Sequence, residues 1–194
     1  MDGRVCQKEL PMSASAELVP HAATRSDAIR RVAVTLDRDS GSGALRIRYR
    51  IDGEIARLRL PEAAPPQRAA GLWQHSCFEI FLRANGADSY HEFNFASSGA
   101  WAAFRFDGPR SGRSSPVMAA PHIECERELA RFVMTATVPL NDLPECASAA
   151  TLQAGLAAII EDERGMLTYW ALVHHSPQPD FHDPATFRMS VPTR

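Results

Sequence analysis

The chain has 194 residues, 45% of them hydrophobic and 23% charged, and a formal net charge of -2 at pH 7. This composition is ordinary for a globular protein, and it argues against a general nucleic-acid binder, which needs a surplus of Lys and Arg. No stretch approaches the roughly 18 apolar residues of a membrane span, and residues 1–20 lack the apolar segment of a signal peptide, so we expect no membrane partner and a cytoplasmic location.

Alternation of apolar and polar residues predicts β-strands from the first third of the chain onward. Arg31–Leu36 reads RVAVTL and Leu45–Ile51 reads LRIRYRI, so every second side chain is apolar, as in a half-buried strand. The turn-forming run DSGSG at 39–43 joins the two as a hairpin. The DG pair at 52–53 predicts a tight turn before another strand at Ile55–Leu60.

The same alternation continues to the end of the chain. Further strands are expected at Ser76–Arg83, Tyr90–Ala96, Ala100–Phe106, His122–Glu126, Arg131–Val138, Ala154–Ile160, Leu167–Val173 and Arg188–Val191, with a helical turn within 139–150. About ten short strands separated by turns predict an all-β fold, an antiparallel β-sandwich. We expect one domain over residues 18–194, preceded by an N-terminal extension at 1–17 that is a candidate for disorder.

Alternation also assigns side chains to the faces of the predicted sheets. The core set is expected to be Phe78, Ile80, Leu82, Phe93, Phe95, Phe104, Phe106 and Phe132. The opposite face then displays Glu79, Glu92, Asn94, Trp101 and Arg105. Planar polar groups that hydrogen-bond hydroxyls, beside an aromatic ring, suit a sugar. The alternative is a solvated outer face on which Glu79 and Arg105 form a cross-strand ion pair.

A histidine-rich loop near the C-terminus offers a second group of candidates. Residues 174–186 read HHSPQPDFHDPAT, and imidazole and carboxylate groups are ligands of Zn²⁺ and Fe²⁺. The spacing lacks the rest of a metalloenzyme pattern, and three prolines favour a stiff loop, so we assign no metal ligand. We place His175, Asp180 and His182 at the rim of the ligand site instead. Trp73, which precedes the strand of Glu79, is expected to line the site itself.

Nothing in the sequence indicates catalysis. The SSG run at 97–99 lies between two strands, so it is not the strand-to-helix elbow of a serine nucleophile, and no glycine-rich phosphate loop is present. The cysteines form no CxxC pair and are all expected to be reduced: Cys6, Cys77, Cys125 and Cys146. We therefore predict a binding domain and not an enzyme.

Three segments resemble a known family. The runs LWQHSCFEIFL at 72–82 and YHEFNFASSGAW at 90–101 resemble bacterial DOMON-like proteins, which are related to the family 9 carbohydrate-binding modules of xylanases. The run YWALVHHSPQPDFH at 169–182 is similar to the C-terminal signature of the same group, and the resemblance covers roughly Leu18 to Val191. It implies a β-sandwich with a ligand site, assigned by analogy to carbohydrates.

The resemblance also carries open alternatives. The xylanase modules resemble this chain around Trp73 and Glu79 and clamp a terminal sugar between two tryptophans, and either Trp101 or Trp170 would be the second. We expect a sugar or sugar-like metabolite and no cofactor. Some DOMON relatives bind haem, for which the candidate ligands are His91, His174, His175, His182, Met118 and Met134. A metal-dependent enzyme built on the His174–Asp183 loop is the remaining alternative.

Overall fold

The computed structural model describes residues 13–39 and 41–191, and within them the fold is nearly all β. Its strands are β1 Ser13–Pro20, β2 Ile29–Arg38, β3 Leu45–Gly53, β4 Gln67–Arg68, β5 Cys77–Ala84, β6 Tyr90–Phe95, β7 Ala100–Phe106, β8 His122–Arg127, β9 Arg131–Val138, β10 Leu152–Glu161, β11 Leu167–Ala171 and β12 Met189–Ser190. A four-residue helix, α1 Pro144–Ala147, and the 3-10 turns Ile55–Arg57, Leu72–Gln74, Leu140–Asp142 and Pro184–Thr186 complete the described secondary structure. None of these helical segments is long and apolar enough to cross a membrane.

The strands form one curled sheet in the order β4-β7-β6-β5-β10-β11-β1-β2-β3-β9-β8, with β12 beside β10. Strand β1 divides this sheet into two halves, one formed by β4, β7, β6, β5, β10 and β11 and the other by β2, β3, β9 and β8. It joins them because its first six residues pair with β2 and its last two pair with β11. The halves face each other: the Tyr49 hydroxyl on β3 donates to the Glu79 carbonyl on β5 at 2.6 Å. The predicted all-β architecture is thus confirmed, although its two layers are parts of one sheet and β4 runs parallel to β7.

The predicted strands agree with the observed ones to within two residues at each end, with one exception. Ile55–Leu60 was predicted as a strand and is wrong, because Ile55–Arg57 forms a 3-10 turn. Ile55, the first residue of the turn, and Leu58, the residue after it, lie three residues apart and are both buried. The Arg57 side chain contacts Asp27 at 3.0 Å. A strand repeats every two residues and a 3-10 turn every three, and the apolar residues of this segment fit both repeats. Alternation alone therefore could not distinguish a strand from a 3-10 turn here.

Strand β1 and strand β4 were not predicted. The prediction placed residues 13–17 in an N-terminal extension, whereas they pair with β2 from Ser13 onward. The inward positions of this strand are Ala14, Ala16 and Leu18, which pack on the main core. Alanine gives little contrast with the alternating Ser and Glu, which is why the pattern was missed.

The main core lies between the two layers and contains most of the predicted set. Phe78, Ile80, Leu82, Phe93, Phe95 and Phe132 are buried in it, as predicted. Phe104 and Phe106 are not part of it and lie on the opposite face of β7. The reason is the register of the β6–β7 hairpin, which pairs Phe95 with Trp101. Residues paired across antiparallel strands share a face, so a register error of one residue reverses the assignment of the whole strand.

The cysteines that the structure describes form no disulfide. Cys77 and Cys146 are buried and Cys125 is exposed, all as free thiols. Burial, with the nearby Glu79 carboxyl, raises the pKa of the Cys77 thiol well above its ordinary value, so it stays protonated and unreactive. Cys6 lies outside the described residues.

Gly53, at the end of β3, makes an unusually close backbone contact. A Cβ atom there would lie 2.2 Å from the carbonyl oxygen of Ala28. We expect Gly53→Ala to lower the free energy of unfolding by about 2 kcal/mol, since backbone must move to admit the methyl group. Urea denaturation checks this, with Gly41→Ala as the control because the nearest atom to its Cβ would be 3.5 Å away. Equal stabilities of the two variants would contradict the prediction.

Candidate functional site

A pocket of about 540 Å³ opens on the face of β5, β6, β7, β10 and β11 that points away from the main core. It is closed on its sides by the loop 107–116 and by the C-terminal segment 172–188. Its lining residues are Ala70, Gly71, Trp73, Glu79, Glu92, Phe104, Phe106, Arg110, Arg113, Ile159, Tyr169, Pro179, Phe181 and His182. Volumes of this order accommodate small organic ligands.

A second apolar cluster anchors the C-terminal segment beside the pocket. Phe187 stacks on Phe81 with ring centroids 5.7 Å apart, and Phe106 stacks on Tyr90 at 4.9 Å. Gly155 makes this packing possible, since a Cβ there would lie 2.5 Å from the Phe187 ring. The segment that carries the pocket histidine is therefore fixed by buried aromatic rings on strands β5, β6 and β7.

Two buried carboxyl groups form the floor of the pocket. Glu79 on β5 is only 3% exposed, and Glu92 on the adjacent β6 is also buried. Burial, with the neighbouring charge of Glu92, raises the pKa of Glu79 to about 8. Burial also raises the pKa of Glu92, against a hydrogen bond of 2.7 Å that Asn94 Nδ2 donates to Glu92 Oε1. Glu79 is thus mainly protonated at neutral pH and can donate a hydrogen bond.

His182 extends this floor into a chain of polar groups. Tyr90 accepts a hydrogen bond from the Arg110 backbone N–H at 3.2 Å, and its oxygen lies 2.8 Å from His182 Nδ1. With the Tyr90 proton directed at Nδ1, the imidazole carries its hydrogen on Nε2, which lies 3.7 Å from Glu92 Oε2. Burial and the charge of Arg110 lower the pKa of His182 to about 4, so the ring is neutral at physiological pH.

The loop 107–116 contributes two arginines to the pocket. Arg110 has a φ of 53°, the only positive φ of a non-glycine residue within the described part of the chain. Its guanidinium donates to Asp180 at 2.7 Å, which ties this loop to the C-terminal segment. The Arg113 guanidinium lies over the Phe104 ring, 5.2 Å from its centroid. A strained backbone held by such contacts is typical of functional loops.

Aromatic rings form the walls above the carboxyl groups. Trp73 lies in the 3-10 turn Leu72–Gln74 and is 55% exposed, although it lines the pocket. This turn follows Gly71, whose φ is 72°, and it ends at His75, whose Nδ1 lies 2.7 Å from Glu161 Oε2. Phe104, Tyr169 and Phe181 supply the other aromatic surfaces. The pocket therefore combines an apolar, aromatic wall with a polar floor.

The structure brings together four of the residues proposed from the sequence: Trp73, Glu79, Glu92 and His182 all line this pocket. Asn94 lies in the same floor and contacts Glu92, and Asp180 contacts the pocket residue Arg110. His175 does not join them, because its ring contacts Asp183 at 3.1 Å and Arg188 at 3.1 Å.

Trp101 and Arg105 were assigned to the wrong face. Trp101 is 5% exposed and packs in the main core, with the Arg68 guanidinium 4.6 Å from its ring centroid. Arg105 donates to Glu145 at 2.8 Å and to Asp107. The hairpin register that misplaced Phe104 and Phe106 also explains these two residues, since all four alternate along β7. Trp170 is buried in the main core as well, so neither candidate partner of Trp73 lines the pocket.

The histidine-rich loop does not assemble a metal site. His174 Nε2 lies 3.0 Å from the Val19 carbonyl oxygen, and the other candidate side chains have the separate partners given above. Within residues 13–39 and 41–191, no three His, Cys, Asp or Glu side chains are grouped to hold a metal ion. Of the proposed haem ligands, Met134 is fully buried in the main core, on the other side of β5 from His182.

Sequence reasoning missed several pocket residues: Phe104, Phe106, Arg110, Arg113, Tyr169 and Phe181. The first two would follow from the correct hairpin register. The short loop between β6 and β7 begins at Ala96 and closes with an Ala96 N–H to Ala100 carbonyl bond of 2.9 Å, which fixes that register. The arginines lie in a loop with no periodic signal, so alternation gave no indication of them.

Solved structures share this architecture. A protein from Bacteroides uniformis, named as a putative carbohydrate-binding protein, is similar with a TM-score of 0.65 at 12% identity, over 94% of this chain and 86% of that one. A family 9 carbohydrate-binding module from Caldicellulosiruptor kristjanssonii, in complex with cellotriose, gives 0.54 at 8% identity, over 91% and 81%. No protein-family model and no curated protein matches the sequence. At these identities the similarity shows the fold, and the resemblance to DOMON-like proteins stays a prediction.

Proposed function

We propose that this chain is a non-catalytic domain that binds a small carbohydrate in the pocket above Glu79 and Glu92. The observation that carries the proposal is the pairing of the half-exposed Trp73 indole with two buried carboxyl groups in one pocket of about 540 Å³. A sugar ring has an apolar face that packs on an aromatic ring and an edge of hydroxyls that needs hydrogen-bond partners. Both requirements are available within this one pocket.

The two carboxyl groups suit hydroxyl recognition. A protonated Glu79 both donates and accepts, whereas the Glu92 oxygens accept, so the floor can satisfy hydroxyls in either direction. Because the floor is shielded from water, each such bond contributes more than it would at the surface. The aromatic wall then selects for the flat face of a ring. The fold supports the same proposal, since a similar module has been crystallised with cellotriose.

Hydrolysis is the alternative use of such a pair. A glycosidase needs an ionised carboxylate, as nucleophile or base, beside a protonated acid. The charge of Glu92 helps to raise the pKa of Glu79 to about 8, so the floor has this combination of groups. We propose binding without bond cleavage because no glycosidase motif surrounds either residue in the sequence and because the similar solved proteins are named for carbohydrate binding.

The proposal is tested by isothermal titration calorimetry with glucose, xylose and cellobiose. Wild-type protein is expected to bind at least one of them, and Trp73→Ala to weaken that binding by about 30-fold, which corresponds to about 2 kcal/mol of lost ring contact. Leu129→Ala is the control, because Leu129 is 88% exposed in the β8–β9 turn of the other layer. Absence of binding by the wild type, or equal affinities of the two variants, would overturn the proposal.

A further inference from the structure

The floor of the pocket contains a buried carboxyl group without a basic partner. Among residues 13–39 and 41–191, no Lys, Arg or His nitrogen lies within 4.0 Å of the Glu79 carboxyl oxygens. Glu161, another buried carboxylate of this chain, provides a comparison because it has basic partners. It is 6% exposed, and it is paired with Arg59 at 2.7 Å and with His75 at 2.7 Å. Glu79 is buried as deeply as Glu161, but it has no ion pair.

The neighbouring acceptors are also incompletely used. Asn94 lies directly opposite Glu79 in the β5–β6 pairing, and its Oδ1 is buried with no hydrogen-bond partner among the described residues. Glu92 Oε1 accepts from Asn94, while its Oε2 lies 3.7 Å from His182 Nε2, beyond a normal hydrogen bond. Asn94 does not line the pocket, whereas Glu79 and Glu92 do, so a ligand that brings donors would meet the oxygens of these two carboxyl groups.

The two pocket arginines do not donate hydrogen bonds to the Glu79 and Glu92 carboxyl groups. Arg110 is committed to Asp180 at 2.7 Å, and the exposed Arg113 lies over the Phe104 ring. Their charges act on the pKa of Glu92 from a distance, without an ion pair. With Glu79 ionised, the carboxylates and guanidinium groups of the pocket and of Asp180 leave one negative charge in excess. One ammonium ion placed at the floor would balance it.

We infer, on the basis of the proposed function, that the pocket selects a sugar carrying a primary amino group, with its ammonium between Glu79 and Glu92. An ammonium ion supplies three donors and no acceptor, which suits the oxygens of Glu92 and of Glu79, whose hydrogen-bonding neighbour is the weak donor Cys77. The aromatic rings of the wall are compatible with a cation in the pocket, because the face of an aromatic ring is negative. An acidic sugar would instead bring a second negative charge towards two carboxyl groups.

Binding of an ammonium ion is coupled to the release of a proton from Glu79. In the free protein this group holds its proton up to about pH 8, and the complex requires the carboxylate. The titratable and charged groups that surround it are Tyr49 on β3, Cys77 on its own strand, Glu92 on β6, Arg110 and Arg113 in the loop 107–116, Tyr169 on β11 and His182. Its partner on β10, Ala157, is apolar. Affinity for the amino sugar therefore rises with pH.

The experiment is calorimetric titration of the full chain with glucosamine, glucose and glucuronate. At about pH 7 glucosamine is expected to bind about tenfold more tightly than glucose, since a charge-assisted hydrogen bond replaces a neutral one. Its affinity should increase by up to about tenfold per unit between about pH 5.5 and pH 7, while that for glucose stays level. Titrations in phosphate and in Tris buffer should differ in heat by the release of about one proton.

Two variants separate the role of Glu79 from a general charge effect. In Glu79→Gln, glucosamine should lose its advantage over glucose together with the pH slope and the buffer dependence. Glu124→Gln removes an exposed carboxylate on β8 of the other layer and should behave as the wild type. If glucose binds as tightly as glucosamine, or glucuronate binds more tightly, the amine inference is wrong while the proposed function holds. If none of the three sugars binds, the amine inference is wrong, and the proposed function is also wrong if xylose and cellobiose fail to bind.

Discussion

Replacement of Phe78 by alanine is expected to lower the free energy of unfolding by about 4 kcal/mol. Phe78 is fully buried on β5, and its ring centroid lies 5.2 Å from that of Tyr49 and 5.9 Å from that of Phe132. Both partners belong to the opposite layer, so the truncation leaves a cavity at the contact between the two halves of the sheet. Because backbone hydrogen bonds between neighbouring strands hold each half in place, the two halves cannot easily move together to fill the cavity.

Urea denaturation followed by circular dichroism measures this loss. An unchanged dependence of the free energy of unfolding on urea concentration would indicate that the unfolded state is the same in both proteins. The matched control is Phe104→Ala, which truncates the same side chain at a partly buried position on the pocket side. We expect it to lower the free energy of unfolding by only about 1 kcal/mol. Similar losses for the two variants would contradict the assignment of the faces.

Replacement of Glu79 by glutamine is expected to make the protein more stable at alkaline pH. The pKa of this carboxyl group is about 8 in the folded protein and close to its ordinary value of 4.5 when unfolded. Between these values the folded state holds a proton that the unfolded state has lost, so the wild type loses stability as pH rises through the window. By pH 9 the loss is about 5 kcal/mol, and glutamine, which does not ionise, avoids it.

The measurement is the free energy of unfolding at several values from about pH 5 to pH 9 for both proteins. The difference between variant and wild type should grow with pH and level off above about pH 8. Glutamine also supplies an N–H₂ group that can donate to the unpaired Asn94 Oδ1. A difference that does not change with pH would mean that Glu79 is ionised in the folded protein, and Glu124→Gln provides the surface control.

The sequence was most informative where one face of a strand is buried and the other is not. Arg131–Val138 and Ala100–Phe106 were predicted with the bounds that the structure gives them. On β5 and β6 the alternation also placed Glu79 and Glu92 on the face opposite Phe78 and Phe93, as observed. Both results follow from the two-residue period of a strand, which any sequence with a polar and an apolar face displays.

What remained beyond prediction depends on relations between segments. Alternation within β7 separates Trp101 from Phe104 but does not say which of them faces the core, since both are aromatic. The hairpin register decides that, and an error of one residue exchanges the faces. Similarly, Arg110 reaches the pocket because Asp180, 70 residues later in the chain, accepts its hydrogen bond. Such a contact between two irregular loops leaves no periodic trace in either of them.

Strand β1 is shared by both halves of the sheet, so we expect its two sets of pairs to form at different times. Its pairing with β2 links residues that are close in sequence, whereas Val19 pairs with Ala171, more than 150 residues away. During synthesis β1 can form a hairpin with β2 early. Its last two residues can pair only after β11 has been synthesised. Contacts of such long range form slowly, because closing the intervening loop is entropically unfavourable. We therefore expect the pairing of β1 with β11 to form late, and the pocket, which needs β11 and the segment after it, to be completed in the same step.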